Sequence, residues 1–241
     1  VRNALSPTLL RTLETHLNAL ESDKTVRVVI LTGAGDAFCA GADLENLRTL
    51  GTASSEDNKR DSSLLANVLR QIYLFPKPVI AAVNGTAVAG GAGLATACDL
   101  VIISESAKLG YTEVKLGFVA AIVSVFLLRA IGEKHARELL LTGKLITAPE
   151  AHRLGLVNEI VPKERVLERA LELASSLAKN SRTALETTKE LLAVLPDMGL
   201  EESLRHAVGV NAWTRTTNDL REGVAAFLEK REPVWVGDNQ E

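Results

Sequence analysis

The chain has 241 residues, 46% of them apolar and 24% charged. That balance builds a buried core and excludes disordered, collagen-like and coiled-coil chains. A formal net charge of −3 gives no electrostatic footing for nucleic acid, which asks for a basic face.

In chain order, Ser6-Pro7 is a helix start, with serine as N-cap and proline in the first turn. Leu9, Leu10, Leu13, Leu17 and Leu20 follow at helical spacing. Val26 to Leu31 is a near-continuous β-branched run, suited to a strand buried on both faces, and residues 32–36 turn the chain. A polar stretch from Gly51 to Asp61 reads as a mobile loop, and Ser62 to Leu74 as a helix. Val79 to Val83 is a second buried strand, Asn84-Gly85 a turn, and Ala87 to Ala97 a small-residue run that opens a helix. Leu100 to Ile103 and Leu109 mark two more strands. Strands separated by helices imply crossover connections and parallel pairing.

From Ala120 the pattern turns helical, with Gly132 and Gly143 as C-caps; Leu116 to Leu128 reads as a buried turn leading into a core helix. Ala148 to Leu154 is a short helix and Leu156 to Val161 a last strand. Beyond Pro162, residues 164–179, 182–195, 201–216 and 218–230 form four amphipathic helices. The fold class is α/β, divided into a core over residues 1–162 and a C-terminal helical region over 163–241.

Two stretches are long and uncharged enough to test against the roughly 20 apolar residues that span a bilayer. Glycines and Asn84 punctuate Pro78 to Cys98, and Leu116 to Leu128 is too short, so no membrane partner is expected. No targeting segment is evident, and Cys39 and Cys98 read as small buried hydrophobes. A reduced protein of the cytoplasm, or of the mitochondrial matrix in a eukaryote, is expected.

Small residues concentrate in Phe38-Cys39-Ala40-Gly41-Ala42-Asp43-Leu44 and in Asn84 to Leu94, each after a strand. Such segments permit tight turns and uncover backbone N–H groups. One N–H from each could form an oxyanion hole, although by pattern alone close helix–strand packing without a ligand reads as well. A phosphate loop fails for want of Lys-Ser or Lys-Thr, and a dinucleotide fingerprint fails because Gly90, Gly91 and Gly93 lack the spacing. The four histidines are scattered over helices, no serine has a triad arrangement, and no metal constellation appears.

These segments, in their order and spacing, resemble the crotonase (enoyl-CoA hydratase/isomerase) superfamily. Arg2-Asn3-Ala4-Leu5, residues 37–44, Lys77 to Gly85, Ala89 to Leu94 with Cys98-Asp99, Glu113 with Leu116-Gly117, Leu141-Thr142-Gly143 and Glu222 to Arg231 carry the resemblance over essentially the whole chain. It implies a spiral core of strands and crossover helices, and a strand pair ahead of Arg2 that this sequence does not contain. It also implies an acyl-CoA thioester substrate, with no cofactor beyond the coenzyme A of the substrate. The N–H groups of Ala42 and Gly90 would hold the thioester oxygen, while Ala40, Ala42, Asp43 and Leu44 would line the coenzyme A path. Family members form trimers, often paired as hexamers, so Phe227 and Lys230 would touch a neighbour's coenzyme A.

Hydration of a conjugated thioester needs a group that activates water and one that protonates the α-carbon. Family hydratases use two glutamates. The later one matches Glu113, expected among Tyr111, Val114 and Leu116 in apolar surroundings that raise its pKa. The earlier one matches Gly93, which has no side chain. Glu113 could therefore work alone or with Tyr111, Glu56 or Asp57 in a hydratase, here favoured. The Gly-Gly-x-Gly-Leu and Glu-Val-x-x-Gly pattern is similar to methylglutaconyl-CoA hydratase-like proteins. Alternatives are a Δ3,Δ2-enoyl-CoA isomerase using Glu113 alone, another thioester reaction such as decarboxylation, and a catalytically weak coenzyme A-binding member.

Overall fold

In the computed structural model, which describes residues 2–235, Ser6 caps helix α1 (Pro7–Ser22) by accepting from the Leu9 N–H at 3.2 Å. The C-terminal carbonyls of α1 meet an unforeseen partner. Lys77, almost wholly buried, donates to the carbonyls of Leu20 (2.6 Å), Glu21 (3.0 Å) and Asp23 (2.6 Å). A cation at a helix C-terminus satisfies orphan carbonyls and complements the helix dipole.

The chain then winds between two sheets. Strands β1 (Val29–Thr32) and β2 (Ala37–Cys39), β3 (Val79–Val83) and β4 (Thr86–Val88), β5 (Leu100–Ser104) and β6 (Lys108–Gly110), and β7 (Leu145–Thr147) and β8 (Glu159–Val161) come in successive pairs. Each pair gives one strand to each sheet, in the orders β1-β3-β5-β8 and β2-β4-β6-β7. This is the spiral that the resemblance implied.

All ladders are parallel except β6–β7, where Gly110 sits opposite Leu145 and Lys108 opposite Thr147. Parallel pairing expected from the crossovers fails there because β7 enters beside the end at which β6 leaves. The short strands β2, β4 and β7 gave no apolar run long enough to read.

The all-apolar run of β3 is explained by its two faces. Val79, Ala81 and Val83 join the main core, whereas Ile80 and Ala82 pack with Ile102, Val166 and Ala170. The latter two belong to α7 (Val166–Ala178), so the first helix beyond residue 162 covers the outer face of the first sheet.

Between β2 and β3 lie α2 (Leu44–Leu50) and α3 (Ser55–Leu74). The expected mobile loop over Gly51 to Asp61 is therefore corrected: residues 55–61 are the opening turns of α3. Ser54 caps it by accepting from the Asp57 N–H at 3.1 Å, and Glu56 and Asp57 lie at the positive end of the dipole. Polarity suggested a loop where a capped, solvated helix start stands.

Helix α4 (Gly90–Ala97) packs against α5 (Ala121–Thr142), which is interrupted at Gly132 (φ 72°) and capped by Gly143 (φ 56°). The segment expected to be buried, Leu116 to Leu128, is buried only along Val123, Phe126 and Leu127; Leu116, Phe118, Val119, Val125 and Leu128 are exposed. Helices α6 (Ala148–Arg153), α8 (Arg182–Val194), α9 (Leu200–Thr214) and α10 (Asn218–Glu229) complete the chain. Among the described residues no helix is long and apolar enough to cross a membrane.

Candidate active site

The two small-residue segments leave neighbouring parallel strands together. Cys39 of β2 pairs with Ala87 of β4, so Ala42 and Gly90, three residues further along each chain, leave the sheet at the same end. Glycine permits the close approach. A side chain at Gly41 (φ +82°) would start 2.8 Å from the Val88 carbonyl oxygen and 2.9 Å from Ala89 Cβ. One at Gly91 would start 2.5 Å from the Cys39 carbonyl oxygen.

The first segment is also held from the N-terminus. Asn3 donates its side-chain amide to the carbonyls of Ala37 (2.9 Å) and Ala34 (3.0 Å), and the Leu5 N–H donates to the Gly41 carbonyl at 2.7 Å. That last bond makes the bridge between Leu5 and Ala42 through Gly41, so the Ala42 N–H takes no part in it.

Gly90 is the first residue of α4, ahead of the first intrahelical bond, Gly93 N–H to Ala89 carbonyl at 3.0 Å. Its N–H therefore has no partner within the helix. Ala89, immediately before it, holds φ 52° and ψ −126°, a conformation that glycine adopts easily and alanine does not. Its N–H donates to the Gly110 carbonyl at 2.7 Å, tying the start of α4 to the strand that leads to the acid. Strain of this kind persists where the surroundings over-determine the backbone.

Glu113 opens a short 3-10 turn, Glu113–Leu116, closed by Gly117 (φ 72°). It is 7% exposed, and its Oε2 is buried with no hydrogen-bond partner among the described residues. Burial raises the carboxyl pKa, opposed by its own backbone N–H. The apolar surroundings expected from Val114 and Leu116 are not what buries it, since both are exposed; Tyr111 alone of the three is buried.

The Tyr111 proton is engaged away from Glu113. The Thr96 hydroxyl donates to the Ala92 carbonyl (2.8 Å), which leaves the Tyr111 hydroxyl as the donor in its 2.5 Å bond to Thr96. Burial raises the phenol pKa, and the nearby Glu113 charge adds to that rise. Glu56 and Asp57 sit on the exposed first turn of α3, each paired with Arg60.

Gly93 is buried on α4, and a Cβ there would collide with Val123 Cγ1 and stand 3.1 Å from Val123 Cβ. Of the expected coenzyme A residues, Asp43 caps α2 by accepting from the Glu45 N–H (3.0 Å), Leu44 is exposed beside it, and the Ala40 N–H donates to the Arg2 carbonyl (3.1 Å). Phe227 is 82% exposed, and Lys230 is the left-handed cap of α10. Phe227 lines a cavity of about 340 Å³ with Ser181, Leu220, Val224 and Trp235, to which none of residues 40–44, 90 or 113 contributes. Sequence reasoning missed Ala89 and Val123; no local signal marks an alanine at positive φ or a partner thirty residues from its glycine.

Residues 1–238 match a family model described as enoyl-CoA hydratase/isomerase. A Thermus thermophilus protein provisionally named enoyl-CoA hydratase is 56% identical over 232 residues, covering 96% of this chain and 92% of that protein. The 2,3-dehydroadipyl-CoA hydratase of Escherichia coli is 35% identical, covering 98% of this chain and 91% of its own length. A crystal structure of an enoyl-CoA hydratase from Bacillus anthracis superposes with a TM-score of 0.90 at 38% identity, covering 97% of this chain and 90% of that one.

Proposed function

The chain belongs to the enoyl-CoA hydratase/isomerase family of enzymes, and from that premise we propose that it adds water to the double bond of a 2-enoyl-CoA thioester, with Glu113 as its acid–base group. The observation that carries this is the buried Glu113 carboxylate with an unpartnered Oε2. An unpaired buried carboxylate is costly, and a water entering the site would donate the hydrogen bond it lacks.

The Ala42 and Gly90 N–H groups donate to the thioester oxygen, where negative charge develops as water attacks. Glu113 takes a proton from the water, the oxygen bonds to the β-carbon, and the π electrons move onto the thioester oxygen as an enolate. Collapse of the enolate returns a proton to the α-carbon. Ala40, Ala42, Asp43 and Leu44 hold the coenzyme A moiety of the substrate, and no other cofactor takes part. Phe227 and Lys230 reach coenzyme A across a subunit boundary in a homotrimer or a hexamer of two such trimers. The reduced, buried Cys39 and Cys98 suit a cytoplasmic or matrix compartment; burial lifts the Cys39 thiol to about 11.

A second reading has one observation in its favour. With no side chain at Gly93, Glu113 alone could move a proton between the α and γ carbons and shift a double bond. Mass spectrometry of crotonyl-CoA, 3-methylglutaconyl-CoA and a 3-enoyl-CoA with the wild type and Glu113→Gln separates the two. Hydration predicts a gain of one water with a 2-enoyl substrate and a rate at least about 10²-fold lower in the variant. Double-bond migration without mass change would move the assignment to isomerase. Coenzyme A thioesters bound but never turned over would leave a binding protein.

A further inference from the structure

Position 93 lies on α4 where that helix meets the first turn of α5. A Cβ built there would collide with Val123 Cγ1, lie 3.1 Å from Val123 Cβ and 3.6 Å from Leu69 Cδ1. Val123 is 2% exposed and Leu69 wholly buried, so neither can swing into solvent. Valine in a helix is also confined almost to one χ1 rotamer, so Cγ1 cannot turn aside without strain. The space beside Gly93 is thus closed by hydrocarbon from another helix.

We infer that Val123 is a positioning residue that fixes this as a one-acid site: it occupies the volume an acid at position 93 would need, and Glu113 alone takes and returns the proton. The inference rests on the hydration reading and deepens it. Water's proton passes to the Glu113 carboxylate as the oxygen bonds to the β-carbon; the same proton then bonds to the α-carbon as the enolate collapses, leaving the carboxylate as it began. Both hydrogen and hydroxyl then arrive from the Glu113 side of the acyl chain, so addition is syn. Tyr111 is the titratable neighbour whose phenol feels the Glu113 charge, and its proton is engaged by Thr96. The unpartnered Glu113 Oε2 is the one buried carboxylate oxygen left open to the reacting atoms among the described residues.

The test compares wild type, Gly93→Glu, Val123→Ala and Gly93→Glu/Val123→Ala in thermal melts and in pH profiles of kcat/KM with crotonyl-CoA. Gly93→Glu should melt about 5 °C or more below wild type. Adding Val123→Ala should recover at least half of that loss, although Val123→Ala alone lowers the melting temperature. The wild-type profile should show one ionisation, falling only on the acid side.

A Gly93→Glu protein as stable as wild type, or no recovery in the double variant, would overturn the role of Val123. A wild-type alkaline limb below the pH of thioester hydrolysis would reveal a second acid and overturn the one-acid site. Absence of turnover in the wild type with the expected melting pattern would sink the hydration reading and the proton assignment with it. Turnover with the wrong melting pattern would leave hydration standing and sink only this inference.

Discussion

Burial of Glu113 serves the chemistry and burdens the fold. Its carboxyl pKa is raised by desolvation, so the folded chain binds that proton more tightly than the unfolded chain does. Stability is then undiminished below the unfolded pKa, falls as pH rises through the window between the two values, and carries the whole penalty above the folded pKa. Glu113→Gln removes the charge and the penalty. The inactive variant should melt above wild type at neutral pH, and the difference should close toward about pH 4, where the unfolded carboxyl is itself protonated. Activity should show the complementary limb, with kcat/KM falling on the acid side at a pH above the usual glutamate range. Ala89 carries a second local cost, its positive φ of 52°. Ala89→Gly should stabilise by about 1 kcal/mol in urea unfolding, because glycine takes this conformation without a Cβ clash. A loss of stability would mean that the backbone there is unstrained.

Among the elements, α1 depends on a residue that follows α3. Lys77 satisfies three carbonyls at the C-terminus of α1 from a buried position, and its pKa is lowered, chiefly by burial. Lys77→Met keeps the stem and deletes the donor. It should cost about 3 kcal/mol in denaturant unfolding, since buried acceptors lose a charged partner. An unchanged midpoint would show that water replaces the ammonium freely. The start of α3 behaves differently: its cap, acidic first turn and exposed Arg60 pairs lie in the open, where ion pairs contribute little. Helix α7 is bound into the first sheet through Val166 and Ala170, which pack on Ile80, Ala82 and Ile102.

At the scale of the molecule, the C-terminal helices present apolar surface that no other described residue covers. Leu200, Leu204 and Val208 repeat every four residues along α9 and are 73%, 54% and 67% exposed. A stripe at this spacing lies on one helix face, and contiguous exposed apolar surface of this kind marks association. Phe118 and Val119 add to the exposed apolar side chains near the site. The expected mass in light scattering is that of a trimer or hexamer, with Leu204→Glu/Val208→Glu shifting it toward the monomer. A monomeric wild type would end that reading, together with the roles of Phe227 and Lys230 across a boundary.

Much of this organisation is local and was therefore legible in the residues. Ser6-Pro7 caps its own helix, and the runs at 79–83 and 100–103 can only be strands buried on both faces. The glycine segments at 38–44 and 84–94 announce a close approach of backbones, and the order of these motifs points to the family. What the tertiary structure alone decided depends on residues distant in sequence. Polar composition at 51–61 does not distinguish a loop from a capped helix start. The apolar run at 116–128 is hydrophobic whether this chain or a neighbour covers it, so the sequence does not tell which of its residues are buried. Gly93 reads in sequence as a missing acid; only the packing of α4 on α5 shows Val123 filling the space, because steric exclusion is a property of two helices and not of either one.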